Sequence, residues 1–201
     1  MKLYYSTNLN PRVAVAVARH LKSPVDLIRA NPRSPAEEAA FRPINPNTLV
    51  PVLVEGERRL WETDAIACRL AAIAKSDFWP TGETLPELVK WLSWSAHHFT
   101  PAGGVYYFEN IIRPKFMKQP PDQRALDEAT PNFHRFASVL NDVLADRRWL
   151  LEDRMTYADF RTATVLPFAE AAALPIGGYG NIRKWHDRLN LIEAWRRPFD
   201  I

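Results

Sequence analysis

Two adjacent residues in the N-terminal third of the chain, Glu62 and Thr63, suit the binding of a small charged ligand. They stand where a predicted strand ends and a predicted helix begins. The N–H groups and the positive dipole end of a helix start attract a carboxylate, and Thr63, predicted to cap this helix, adds a hydroxyl donor. The Glu62 carboxylate instead suits an ammonium group. Together they fit the zwitterionic head of an amino acid, although an ordinary capped helix start is the alternative.

A second feature is the dipeptide Val50-Pro51, which opens another predicted strand. Proline has no N–H to donate to a sheet. A cis bond before Pro51 would leave the backbone of Val50 to pair with a group outside the sheet, whereas a trans proline on an edge strand is the alternative, since cis bonds are a minority. With Glu62 and Thr63, this dipeptide predicts a site for a small, charged, peptide-like ligand.

The elements around these residues predict a four-stranded mixed sheet with helices on its faces. Four strand-like runs are interleaved with helical stretches, and the last two strands form a tight antiparallel hairpin through a glycine turn. The runs cover residues 2–5, 25–28, 50–54 and 59–61. Apolar spacing predicts a helix after Asn10, with Asn10 as its N-cap and Pro11 as its first residue, and a second helix over Thr63–Ala74.

The pattern changes near residue 77, which predicts two domains. Residues 1–76 form the sheet domain, and 77–86, which contain two prolines and a glycine, are read as a linker. Residues 87–201 are predicted to be entirely helical. The helices are expected over 88–112, with an interruption near Pro101 and Gly103-Gly104, and over 122–145, 156–173 and 182–195.

Composition limits the classes of function. The 201 residues are 47% hydrophobic and 24% charged with a net charge of +3, which is ordinary for a soluble globular protein. The positive charges are scattered, so a nucleic-acid surface is not expected. No apolar run approaches the roughly 20 residues that span a membrane. The single cysteine, Cys68, is predicted to be a buried, inert thiol. Because one cysteine cannot form an internal disulfide, a reducing, cytoplasmic setting is expected.

Three motifs in order resemble the soluble glutathione transferase superfamily over nearly the whole chain. They are Asn45–Leu53, Glu62–Ile66 and Thr156–Phe160. The resemblance implies a thioredoxin-like N-terminal domain, an all-helical C-terminal domain, a cis bond before Pro51, and a homodimer with Asp64 and its helix near the interface. It also implies that Val50 pairs with the cysteinyl backbone of glutathione and that Glu62 and Thr63 hold the γ-glutamyl head.

The same resemblance places the sulfur of glutathione near the start of the first helix, where Ser6, Asn8 and Asn10 are the candidate catalytic donors. The opening is most similar to the bacterial beta-type transferases, which carry a cysteine at the position of Asn10. Mixed-disulfide chemistry is therefore not expected. A hydroxyl or amide donor would instead stabilise the thiolate. The residues predicted to bind glutathione are therefore Leu49, Val50, Pro51, Glu62 and Thr63. Leu49 is a further departure, since many relatives carry a polar residue directly before Val-Pro.

In the helical domain, His97, Tyr106 and Tyr107 are the candidate walls of a pocket for a small hydrophobic electrophile, with core packing as the alternative. Adjacent residues His97 and His98 point about 100° apart, so no metal site is expected. Thr156 and Asp159 resemble a capping box and are predicted to be structural. The resulting hypothesis is conjugation of glutathione to an electrophile with no other cofactor. The alternatives are a non-catalytic binding protein and a glutathione-dependent reductase or isomerase.

Overall fold

The computed structural model describes residues 1–151 and 154–200. The chain forms two compact units, Met1–Trp79 with Ile192–Ile201 and Pro80–Leu191. The C-terminal segment thus belongs to the first unit, although it is the last part of the chain in sequence. The boundaries 1–76, 77–86 and 87–201 derived from the sequence stay a prediction.

The first unit is built on a four-stranded mixed sheet with strand order β2-β1-β3-β4. Its strands are β1 (Lys2–Tyr5), β2 (Asp26–Arg29), β3 (Val52–Glu55) and β4 (Arg58–Trp61). β1 pairs with β2 in parallel and with β3 antiparallel. β3 and β4 form the hairpin, with Glu55 opposite Arg58 and the turn residue Gly56 at φ 57°, a conformation natural to glycine. The mixed sheet predicted from the sequence is confirmed.

The helices of this unit are α1 (Leu9–His20), α2 (Glu38–Phe41), α3 (Thr63–Ala74) and α9 (Glu193–Arg196). α1 packs against α3 and α9, and its apolar face, which includes Val13 and Val17, is fully buried. The predicted Asn10 cap is wrong, because Asn8 occupies the N-cap position and Asn10 is the second helical residue. Pro11 still lies in the first turn, where its missing N–H costs no helical hydrogen bond.

Among the described residues of the second unit, the regular elements are helices. Its α-helices are α4 (Leu85–Trp94), α5 (Thr100–Tyr107), α6 (Gln123–Val143), α7 (Tyr157–Thr162) and α8 (Gly180–Leu189). The predicted interruption near Pro101 is wrong. The helix stays continuous from α4 into α5 through a π-helical turn over Ser95–Phe99, and Pro101 stands in the first turn that follows. Across the described residues, no helix is long and apolar enough to cross a membrane.

The long helix predicted over 156–173 is also wrong. α7 ends at Thr162 and is followed by a 3₁₀ turn over Leu166–Phe168. Pro167 has no N–H for a continued helical ladder. In addition, the Ser95 hydroxyl donates a hydrogen bond to the C=O of Arg161 at 3.1 Å, and the Thr164 hydroxyl donates to the same C=O.

Two neighbouring glycines of α5 should respond in opposite ways to alanine. A Cβ on Gly103 would lie 2.8 Å from Cγ2 of Val165, whereas a Cβ on Gly104 would meet no atom within 4 Å. We expect Gly103→Ala to lower the free energy of unfolding by about 1–3 kcal/mol through overpacking. We expect Gly104→Ala to raise it by up to about 1 kcal/mol, because alanine favours a helix. Urea unfolding of both variants measures the difference, and equal effects would contradict the close approach at Val165.

Candidate functional site

A small recess of about 80 Å³ lies in the first unit, between the first turn of α1, the loop before β3 and the start of α3. It gathers residues that are up to 53 positions apart in the sequence. Its lining residues are Asn10, Asn45, Asn47, Leu49, Val50, Pro51, Glu62 and Thr63. All five residues predicted to bind glutathione therefore lie around one recess, together with one of the three candidate catalytic residues.

The loop before β3 presents Val50 to this recess. The bond between Val50 and Pro51 is cis, as the resemblance implies. Val50 lies outside the strand, which begins at Val52. Within the part of the chain that the structure describes, neither the backbone N–H nor the C=O of Val50 has a hydrogen-bond partner. This backbone can therefore pair with a ligand.

Glu62 and Thr63 form the opposite wall, but Thr63 does not cap α3 as predicted. Glu62 occupies the N-cap position and Thr63 is the first helical residue, 4% exposed. The Thr63 hydroxyl donates to the C=O of Asn10 at 3.2 Å, a tertiary contact that takes the place of the cap. This bond joins the first turns of α1 and α3, so two helix N-termini converge on the recess, and their positive ends favour a bound anion.

The backbone of Glu62 is strained, with φ 72° and ψ 128°. A residue with a Cβ pays about 1–3 kcal/mol for such a conformation, and strained residues of this kind cluster at functional sites. Glu62 is exposed and is the one ionisable side chain among the described residues that line the recess. Its carboxylate therefore supplies a local negative charge beside the two positive helix ends, an arrangement that suits a ligand carrying both an ammonium and a carboxylate.

The three candidate sulfur donors are not brought together. Asn10 lines the recess, whereas Ser6 and Asn8 do not. The Oγ of Ser6 is buried without a hydrogen-bond partner among residues 1–151 and 154–200, so it does not reach the recess surface in this conformation. Asn8 is the exposed N-cap residue of α1. Of the three, only Asn10 shares the recess with the residues predicted to bind glutathione.

The predicted co-substrate residues lie in the second unit, in different settings. The ring of His97 is exposed, and its Nδ1 is 2.8 Å from the C=O of Ser93. Tyr106 is buried, with its hydroxyl 2.6 Å from Oγ1 of Thr130 on α6. Tyr107 is also buried, burial raises the pKa of its hydroxyl, and its ring packs edge-on against Phe168. Their role as walls of an electrophile pocket stays a prediction.

Asp159 is completely buried at the start of α7. Its carboxylate accepts hydrogen bonds from the N–H of Leu150 at 3.0 Å, the N–H of Thr156 at 2.9 Å and Nε1–H of Trp185 at 2.9 Å. Burial raises the pKa of this carboxyl to about 6, against the opposing effect of these hydrogen bonds. One carboxylate therefore joins the start of α7, the segment before it and α8.

Cys68 corrects another prediction, since it is exposed on α3 rather than buried. The apolar face of α3 is carried by Ile66, Ala67, Leu70 and Ala71, and Cys68 falls outside it. Partial desolvation raises the pKa of its thiol, which lowers the thiolate fraction at neutral pH. Over the same described ranges, no three His, Cys, Asp or Glu side chains are grouped to bind a metal ion.

Two lining residues were missed as site residues, Asn45 and Asn47. Both stand in the motif that begins at Asn45, so the available signal was the polar pair around Pro46 directly before a Val-Pro dipeptide. Asparagines around a proline ordinarily indicate a turn. Their place around the recess depends on how the loop folds back, which that local signal does not contain.

Known proteins are similar to this chain in sequence and in fold. The family model described as glutathione S-transferase, C-terminal domain, matches residues 107–193. The chain is 28% identical over 195 residues to a probable glutathione S-transferase, GSTF2, of Oryza sativa subsp. japonica, covering 92% of this chain and 89% of that protein. It is 26% identical over 167 residues to glutathione S-transferase GstB of Escherichia coli strain K12, covering 80% and 77%.

Solved structures agree in fold over almost the full length. A glutathione S-transferase I bound with lactoylglutathione superposes with a TM-score of 0.86 at 21% identity, covering 98% of this chain and 97% of that one. Glutathione S-transferase I from maize in complex with an atrazine–glutathione conjugate gives 0.87 at 21% identity, covering 98% and 95%. The predicted fold class, a thioredoxin-like sheet domain followed by a helical domain, is confirmed. With the three ordered motifs, the family-model match and the curated relatives support membership of the soluble glutathione transferase superfamily.

Proposed function

We propose that this protein binds glutathione at the recess and transfers its thiolate to a small hydrophobic electrophile. The observation that carries the proposal is that Val50, Pro51, Glu62 and Thr63 surround the same recess as Asn10. Around this one recess, these residues supply an unpaired backbone amide, a carboxylate and two helix N-termini. The similar proteins from Oryza sativa and Escherichia coli are named glutathione S-transferases.

The recess is smaller than a tripeptide. Its volume of about 80 Å³ is far below the roughly 300–1,000 Å³ of pockets that enclose a whole drug-sized ligand, so it accommodates only part of a tripeptide. In the proposed mode the amino and carboxylate groups of the γ-glutamyl head occupy it, against Glu62 and the first turn of α3. The cysteinyl backbone pairs with Val50, and the sulfur lies over the first turn of α1 beside Asn10.

The proposed reaction has one covalent step. The bound thiol first loses its proton to solvent. The thiolate lone pair then forms a sulfur–carbon bond to the electrophile, and the carbon–leaving-group bond breaks, with the leaving group departing with its electron pair. The protein contributes by lowering the thiol pKa from about 8.5, since each unit gives up to about tenfold more thiolate at neutral pH. The step needs no cofactor beyond glutathione.

A second candidate function, a non-catalytic glutathione-binding protein, is favoured by one observation. No thiol or free hydroxyl of the described residues lines the recess, because Asn10 stands at the beta-type cysteine position and the Thr63 hydroxyl is bonded to Asn10. The ultraviolet absorbance of bound glutathione thiolate against pH separates the two functions. A depressed thiol pKa supports the transferase, and an unshifted one supports the binder. Absence of glutathione binding at millimolar concentrations rejects both.

If the first turn of α1 stabilises the thiolate, Asn10 should matter more than the other candidate donors. We expect Asn10→Ala to raise the pKa of the bound thiol and to lower kcat/KM about tenfold, the loss of about one hydrogen bond of 1.4 kcal/mol. Asn8→Ala and Ser6→Ala, whose side chains do not line the recess, serve as matched controls and should stay within about threefold. Equal losses in all three variants would contradict this assignment.

We also propose that the protein acts as a cytoplasmic homodimer. The supporting observation is that two large apolar side chains beside the site are partly exposed, Leu49 at 42% and Trp61 at 40%. Sedimentation velocity at micromolar protein concentration measures the oligomeric state directly. A species of one chain mass, about 23 kDa, at all concentrations would reject the dimer.

A further inference from the structure

Asn45 is a buried polar residue, 2% exposed, at the base of the loop that leads to Val50. Its side-chain amide bonds at both ends. Nδ2 donates to the C=O of Leu49 at 2.9 Å, and Oδ1 accepts the N–H of Asn47 at 3.0 Å. Its backbone C=O also accepts the N–H of Thr48 at 2.9 Å. Within residues 45–49, this one residue therefore supplies three of the hydrogen bonds that shape the loop.

The bond to Leu49 acts directly on Val50, because the C=O of Leu49 and the N–H of Val50 belong to the same peptide plane. The cis bond of this loop is the following one, so the Leu49–Val50 peptide is trans and its C=O and N–H point in opposite directions. When the Asn45 amide holds the C=O on one side of the chain, it also sets the direction of the N–H on the other. Val50 lines the recess, and the described residues leave that N–H without a partner.

Among the described residues, no strand or helix hydrogen bond replaces the bond from Asn45 to the C=O of Leu49. Leu49 and Val50 precede β3, and Thr48 has φ 49°, a conformation that a β-branched residue seldom adopts. Without the Asn45 amide, the Leu49–Val50 peptide plane could rotate toward water, since its C=O would lose its partner.

We infer that Asn45 is a positioning residue of the glutathione site, which aims the Val50 N–H at the cysteinyl backbone of glutathione. This inference rests on the proposed function. Two residues of the loop then have different roles. The Val50 N–H contacts glutathione, and the Asn45 amide fixes the direction in which that N–H points. A backbone donor held in advance binds without the entropy cost of ordering the loop at the moment of binding.

The test uses three variants of the full chain. Asn45→Ala removes both side-chain bonds, and Asn45→Asp keeps an acceptor for Asn47 but cannot donate to Leu49. Thr48→Ala is the matched control. It removes a side-chain hydrogen bond in the same loop, from its hydroxyl to the C=O of Asn47 at 2.8 Å, without touching the Leu49 carbonyl.

We expect both Asn45 variants to raise the KM and the Kd for glutathione about tenfold. Because the predicted electrophile residues lie in the helical domain and not in this loop, kcat at saturating glutathione and the KM for an activated aryl chloride should change less than about twofold. Thr48→Ala should leave all of these constants within about twofold. A general loss of structure would instead lower kcat and raise both KM values together.

Amide hydrogen exchange at Val50 gives a second readout that does not depend on turnover. Glutathione should slow this exchange at least tenfold in the wild type and far less in Asn45→Asp. An unchanged glutathione affinity in folded Asn45 variants, or equal slowing at Val50, overturns the role of Asn45 and leaves the proposed function intact. If the wild type itself fails to bind glutathione, the proposed function fails and this inference falls with it.

Discussion

Replacing Asp159 with alanine is expected to lower the free energy of unfolding by about 2–5 kcal/mol at pH 7. The substitution removes a completely buried acceptor from three buried donors, the N–H groups of Leu150 and Thr156 and the indole of Trp185. Each orphaned donor costs about 1–3 kcal/mol, partly offset because a desolvated carboxylate also disappears. Urea unfolding followed by tryptophan fluorescence measures the loss.

Asp159→Asn tests how the charge of Asp159 contributes to the free energy of unfolding, and this contribution depends on pH. The pKa of this carboxyl is about 6 in the folded protein, raised from 3.8. Between these values the native state binds a proton that the unfolded state does not, so this carboxyl favours folding at low pH and loses that contribution as pH rises through 6. The asparagine does not titrate. The stability of wild type relative to Asp159→Asn should therefore grow by up to about 3 kcal/mol between pH 7 and pH 4.

The control for both variants is Asp187→Asn on α8, where the carboxylate is exposed. It should change the free energy of unfolding by less than about 0.5 kcal/mol at any pH tested. A stability difference between wild type and Asp159→Asn that is constant or shrinks toward pH 4 would show that the Asp159 carboxyl does not have a raised pKa.

Replacing Glu62 should separate binding from stability. Glu62→Gln keeps the side-chain shape and removes the charge, and the loss of a charge-assisted hydrogen bond to the γ-glutamyl ammonium should weaken glutathione binding about 10–100-fold. Glu62→Gly should weaken binding at least as much. The glycine, however, adopts φ 72° without steric cost, so the variant should unfold at equal or higher urea concentration, with a gain of about 1 kcal/mol.

The two measurements are isothermal titration with glutathione and urea unfolding without ligand. Glu57→Gln is the matched control, because Glu57 lies in the hairpin turn between β3 and β4 and does not line the recess. This control should change neither the affinity for glutathione nor the free energy of unfolding appreciably. If Glu62→Gly lost stability, the backbone at residue 62 would not be strained, and if it kept its affinity, Glu62 would not hold the ligand.

Local patterns were sufficient for much of the fold. The strand runs around Leu3 and Leu53 and the glycine turn at Gly56 predicted the mixed sheet, since strands and tight turns are encoded within a few residues. The helix Thr63–Ala74 was predicted with the bounds that the structure has. The predictions failed where a distant partner changed the local preference. The Thr63 hydroxyl bonds the C=O of Asn10 instead of capping α3. The helix predicted to continue to residue 173 ends at Thr162, because Pro167 lacks an N–H and the Ser95 hydroxyl occupies the C=O of Arg161.

The sequence by itself determined which residues could hold a charged peptide, because Val50-Pro51 and Glu62-Thr63 have their chemistry in their types and immediate neighbours. The tertiary structure decided that Asn10, rather than Ser6 or Asn8, lines the recess with these residues, and that the Asn45 amide bonds the C=O of Leu49 directly before Val50. Those outcomes depend on contacts across a loop and between two helix starts far apart in the chain. No periodicity or spacing within either segment carries that information, because it exists only after the sheet has brought the segments together.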